Sequence, residues 1–131
     1  KMVGKAMECA DLLEKEYNLS TKVINVRYVK PLDRETLLSA ARETQLMVTL
    51  EDNVVENGFG AAVCALMAQA AVMIPVLNIG WPDAFIEQGD TEELERRYGL
   101  DGSGIVEKIV RRLRETKPEQ EKKFFWNRKD R

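Results

Sequence analysis

Apolar positions recur at intervals of three and four from the start of the chain: Val3, Ala6, Ala10, Leu13 and Tyr17, with Cys9 and Leu12 widening the stripe. That spacing predicts an amphipathic helix over residues 2–17. Asn18 suits its C-terminal cap and Leu19-Ser20 the turn beyond. The period then drops to two. Val23, Ile24, Val26, Tyr28 and Val29 make residues 21–29 a β-branched stretch that predicts a strand. Lys30-Pro31 stops it, because proline has no N–H to give to a ladder. Asp33 is placed to cap a helix over 34–44, with Thr36 in its first turn and Leu37, Leu38, Ala40 and Ala41 as its apolar side.

Residues 46–50, Leu-Met-Val-Thr-Leu, form a short continuous apolar run of the kind buried in a parallel sheet. An acidic turn follows, Glu51-Asp52-Asn53-Val54-Val55-Glu56-Asn57-Gly58-Phe59-Gly60, and then an alanine-rich helix over 60–72. Pro75 opens a strand over 76–79, and residues 80–86 form a loop carrying Trp81, Phe85 and Ile86. Asp90 caps a short helix whose first turn holds Glu92 and Glu93, where they complement the helix dipole. The last helix, 104–114, turns Ile105, Ile109 and Leu113 to the core, supported by Val106 and Val110. The order is helix, strand, helix, strand, helix, strand, helix, helix. Such alternation predicts an α/β fold, three layers with a mostly parallel sheet between helices. The expected division is a domain over 1–114 and a charged, flexible tail over 115–131, interrupted by Phe124-Phe125-Trp126, for which an aromatic anchor onto a neighbouring subunit is the rival reading. No internal repeat is visible.

At 131 residues the chain suits one hydrophobic core. Its 20 Lys and Arg against 22 Asp and Glu give a net charge of −2, which argues against a general nucleic-acid or anionic-membrane binder. No apolar run approaches the roughly 18 residues of a membrane span, and residues 1–10 lack the apolar stretch of a secretion signal. A cytoplasmic protein is therefore expected. Cys9 and Cys64 both fall in apolar helical patterns and read as buried small hydrophobes. The chain contains no histidine, so neither a histidine-based triad nor a histidine-ligated metal can form from its residues alone.

In an open α/β sheet, ligands and partner surfaces gather at the loops leaving the strands' carboxyl ends. The candidate site is accordingly the turn containing Glu51, Asp52, Asn53, Gly58, Phe59 and Gly60, read as an interface or an anion-binding turn. Gly58-Phe59-Gly60 before a helix offers backbone N–H groups to a phosphate or carboxylate. It matches neither the dinucleotide fingerprint nor the P-loop, and the plainer reading is a tight strand-to-helix turn. Glu51, Asp52 and Glu56 cluster at one strand end, where acids act as general acids, general bases or metal ligands. More often such acids are solvated, cap a helix or pair across an interface. The aromatic loop 81–86 suits core closure or a subunit contact.

Taken together, these stretches resemble the C-terminal domain of 1-deoxy-D-xylulose-5-phosphate synthases, which are transketolase-like enzymes. The matching pieces are GKAMECADLL (4–13), VINVRYVKPLD (23–33), VTLEDNVVENGFGAAV (48–63), PVLNIGWPDAFIEQG (75–89) and residues 100–105. The likeness spans roughly residues 2–113, and RYVKPLD with PDAFIE favours the synthase over transketolase itself. Two departures stand out: Gln88 where the family usually has histidine, and Glu51-Asp52 where it usually has a glutamate pair. The resemblance implies a parent enzyme that joins pyruvate to glyceraldehyde 3-phosphate with loss of carbon dioxide, giving 1-deoxyxylulose 5-phosphate for isoprenoid, thiamine and pyridoxal synthesis. It implies thiamine diphosphate and Mg²⁺ as the parent's cofactors, held by its first two domains, and no catalytic, cofactor or metal residue in this chain. The implied partners are those thiamine-binding domains, or a separate partner chain, within a homodimer. The family domain also has a strand before the first helix, near the middle of its sheet, so a fragment lacking that strand is expected. Two rival functions remain at this point: a subunit of a split transketolase-like enzyme, and a free-standing anion-binding module.

Overall fold

The computed structural model describes residues 1–116. The Phe124-Phe125-Trp126 tail lies outside them. In chain order the elements are α1 (Met2–Tyr17), α2 (Arg34–Glu43), β1 (Met47–Val54), α3 (Phe59–Gln69), β2 (Val76–Trp81), α4 (Thr91–Arg97) and α5 (Gly102–Thr116). β1 and β2 pair in parallel, with Met47 opposite Val76 and Leu50 opposite Ile79, and a register shift between Leu50 and Val54. Because side chains alternate along a strand, each face of this sheet feeds a different core. Val48, Leu50, Leu77 and Ile79 pack with Cys9 and Leu13 of α1 and with Ile105, Val106, Ile109, Val110 and Leu113 of α5. Met47 and Val76 pack with Val63, Leu66 and Met67 of α3 and with Leu37 and Ala41 of α2. The result is helices, sheet, helices, as the alternating order predicts. Ile105 and Val63 are the largest fully buried side chains, and burying each contributes about 1.5–3 kcal/mol. Among the described residues no helix is long and apolar enough to cross a membrane.

The ends of the elements follow from local chemistry. Asn18 adopts the left-handed conformation (φ 54°) and closes α1, with Leu19 N–H donating back to Leu13 O. Asp33 caps α2: its carboxylate accepts from Thr36 N–H at 3.1 Å and Thr36 Oγ1 at 2.7 Å. Asp90 caps α4 by accepting from Glu93 N–H. α3 stops three residues earlier than its alanines suggest, because Ala71 turns into the left-handed region and Val72 N–H closes on Met67 O. α5 begins two residues earlier and ends two residues later than expected, so residues 115 and 116 are helical.

Three expectations are corrected. Residues 21–29 do not form a strand, and among the described residues no backbone hydrogen bond joins them to the sheet. Alternation supplies β propensity, but a strand exists only where a neighbour accepts its hydrogen bonds. Val23, Ile24 and Val26 are half-buried, while Tyr28 and Val29 are exposed. Second, β1 runs through the acids to Val54, and Trp81 ends β2 instead of lying in a loop. Third, Val3 and Cys64 are exposed instead of buried. The inner side of α1 uses Cys9 and Leu13, and that of α3 uses Gly60, Val63, Leu66 and Met67.

The two edges of the sheet differ. Met47 N–H donates to Pro75 O, so alternation turns the backbone groups of Val48 and Leu50 away from β2, where no described residue answers them. On the far side of β2, Val76 O accepts from Arg112 Nη1 at 3.3 Å.

Candidate functional site

Glu51 is the centre of the carboxyl end of the sheet. It alternates in phase with Met47 and Thr49 and therefore points under α3 instead of into solvent, with only 8% of its surface exposed. Its Oε2 accepts from Phe59 N–H at 2.8 Å and its Oε1 from Gly60 N–H at 3.1 Å. These are the first amides of α3, which no backbone carbonyl of the helix can reach, and the carboxylate charge also meets the positive end of the helix dipole. The two glycines make this approach possible. A Cβ on Gly58 would collide with the Glu51 carboxylate. One on Gly60 would collide with Asn78 and come within 2.6 Å of Thr49 Oγ1.

Beside Gly60 lies a second, partly buried polar group. Thr49 Oγ1 donates to Asn78 Oδ1 at 2.8 Å, and Asn78 Nδ2 donates to Cys64 Sγ at 3.5 Å. Strand, turn and helix are thus joined by polar contacts through one small patch of the sheet.

The other members of the turn face away from this clasp. Asp52 accepts from Trp81 Nε1 at 3.2 Å and pairs with Lys1 Nζ at 3.4 Å. The indole hydrogen bond, followed by the lysine, holds its carboxyl below the usual aspartate range against the opposing effect of burial. Asn53 Oδ1 accepts from Val54 N–H at 2.8 Å. Glu56 is exposed. The structure therefore brings Glu51, Gly58, Phe59 and Gly60 together and separates Asp52, Asn53 and Glu56 from them.

A second carboxylate escaped the sequence reading. Glu95 of α4 is 8% exposed and accepts a bridge from Lys5 at 2.6 Å and from Lys1 at 3.1 Å. Lys5 first, and Lys1 after it, hold its carboxyl below the usual glutamate range, outweighing desolvation. Lys5 also donates to Leu100 O, so α1, α4 and the turn before α5 meet at this point. Nothing in the period of α4 marks Glu95. The signal was the pair of lysines four residues apart at the head of an otherwise apolar α1 stripe.

Elsewhere, a depression of about 190 Å³ is lined by Leu77, Lys108, Arg111, Arg112 and Glu115. Its cations are engaged: Lys108 donates to Tyr98 O, Arg111 pairs with Glu107 and Arg112 with Glu115. Among the described residues no three His, Cys, Asp or Glu side chains converge as metal ligands. A diphosphate at the glycine turn would have to displace the Glu51 carboxylate from both amides, so these residues do not fit the phosphate end of a thiamine cofactor.

By its sequence, the chain belongs to a known family. The family described as transketolase, C-terminal domain, matches residues 1–105. Among individual proteins, the 1-deoxy-D-xylulose-5-phosphate synthase of Caldanaerobacter subterraneus subsp. tengcongensis is 43% identical over 115 residues, covering 88% of this chain and 18% of the relative. The 1-deoxy-D-xylulose-5-phosphate synthase 2 of Geobacter sulfurreducens is 48% identical over 109 residues, covering 82% of this chain and 17% of the relative. The synthase of Chromohalobacter salexigens is 46% identical over 112 residues. The chain thus spans less than a fifth of the length of the first two relatives.

Proposed function

We propose that this chain is the C-terminal, structural and interface-forming domain of a 1-deoxy-D-xylulose-5-phosphate synthase, and that it carries no step of the chemistry. In this reading the thiamine diphosphate and Mg²⁺ sit on other domains of a cytoplasmic homodimer. Pyruvate and glyceraldehyde 3-phosphate are joined there with loss of carbon dioxide. The chain's own residues hold a rigid end of the sheet toward those domains. The observation that carries the reading is Glu51: at the candidate turn the backbone donors suited to an anion are engaged by an internal carboxylate. The identity to synthases agrees with it.

The test is a chimera. The Geobacter sulfurreducens synthase is built with residues 1–116 of this chain in place of its matching stretch, beside the same enzyme lacking that stretch and the free 131-residue chain. The chimera is expected to condense the two substrates, and the other two to be inactive. The free chain is also expected to give no calorimetric signal with thiamine diphosphate. Pyruvate turnover or micromolar cofactor binding by the free chain would overturn the reading, as would an inactive chimera.

A further inference from the structure

Trp81, Pro82 and Ile86 are half-buried, as a loop that closes a core should be, but Phe85 between them is 97% exposed. Single exposed apolar side chains are ordinary on protein surfaces. Phe85 differs in how firmly its loop is held. On its N-terminal side, Trp81 donates to Asp52 and meets the Tyr98 ring edge-on at 5.7 Å and 66°. Ala84 N–H donates to Pro82 O at 2.8 Å, one residue before the phenylalanine. On its C-terminal side, Glu87 accepts from Tyr98 OH and pairs with Arg97. Tyr98 therefore braces both ends of a short loop whose middle residue touches solvent on nearly all sides.

We propose that Phe85 is a pre-organised anchor, and that this loop is where the domain docks onto the remainder of a synthase. An aromatic side chain on a braced loop has only two torsions left to fix on binding, and aromatic residues inserted into pockets dominate interface energetics. Charge narrows the partner further. Asp83, two residues away, is exposed and forms no ion pair among the described residues. The receiving surface is an apolar pocket with lysine or arginine at its rim. A second copy of the same loop does not satisfy this, since it would set like charges against each other.

The inference rests on the proposed function, and the test separates the two. Hydroxyl-radical footprinting of the free 131-residue chain should label Phe85 readily. In the active chimera the labelling should fall by about an order of magnitude, as for a residue at the centre of an interface. Phe85→Ser should leave the Tm of the free chain within about 1 °C and lower that of the chimera by several degrees. Equal labelling of Phe85 in an active chimera and in the free chain would overturn this inference alone. So would an equal Tm change in both. A chimera without activity would overturn the proposed function, and the anchor would fall with it.

Discussion

Replacing Glu51 tests the clasp directly, because its energetics can be worked from two hydrogen bonds. Glu51→Ala removes a carboxylate that accepts from Phe59 N–H at 2.8 Å and Gly60 N–H at 3.1 Å. Hydrogen bonds to charged groups contribute about 1.5–3 kcal/mol each, which sets a ceiling of about 3–6 kcal/mol. Loss of an ordinary exposed N-terminal cap costs about 1 kcal/mol, which sets the floor. Glu51 is nearly buried, so the orphaned amides gain little from water, and a loss of about 3 kcal/mol is expected. Glu51→Gln keeps the shape and one acceptor oxygen, but it loses the charge and turns an NH₂ toward a backbone donor. Its expected cost is about 1.5–2 kcal/mol. Urea unfolding followed by far-UV circular dichroism, extrapolated linearly to water, measures both. A Glu51→Ala protein within about 0.5 kcal/mol of the parent would refute the clasp, because that is the range of an unremarkable surface change. A glutamine variant less stable than the alanine one would refute the ordering of causes.

Three further outcomes follow from the same geometry. Gly60→Ala drives a methyl into Asn78 and Thr49 and should cost about 1–3 kcal/mol; adding Asn78→Ala should recover part of the loss, and strict additivity in the double mutant would show that the collision is not the cause. Glu95 has a carboxyl depressed in the folded state, so its contribution is full above the ordinary glutamate value of 4.5 and is lost as pH falls through the lower folded value. Glu95→Gln should therefore flatten the acid limb of a stability–pH curve, and an unchanged limb would contradict the assignment. Of the two thiols, Cys64 is exposed while Cys9 is 3% exposed with its thiol pushed up to about 11 by burial. A chromogenic disulfide reagent should therefore react quickly with one thiol in the native chain and with two in denaturant.

The helices were legible where they are amphipathic and capped. α5 shows its five inward residues at helical spacing, and Asp33 and Asp90 name the starts of α2 and α4. α3 was legible as a helix but not in its orientation. It is apolar all round, so periodicity could not tell buried Val63 from exposed Cys64. Residues 21–29 show the opposite failure: the local pattern was right for a strand, and the ladder partner it needs is not a property of the segment. At the candidate site, the acids and glycines were recognised as belonging together, but as a turn. What was missed is that Glu51 continues the alternation begun by Met47 and Thr49, which is what carries its carboxylate under the helix. Counting by twos through the polar residues would have found it.

The unequal margins of the two-stranded sheet bear on how this polypeptide behaves in the test tube. Arg112 blunts one rim by occupying the Val76 carbonyl, whereas the rim at Val48 and Leu50 presents bare amides beside half-buried aliphatic groups. Such a rim is a template on which any extended chain of suitable pattern can polymerise. Concentrated or gently warmed solutions of the free chain should cloud through intermolecular sheet well before the helices melt, and a proline introduced at Val48, which removes the bare amide while keeping an apolar side chain toward the core, should delay the clouding.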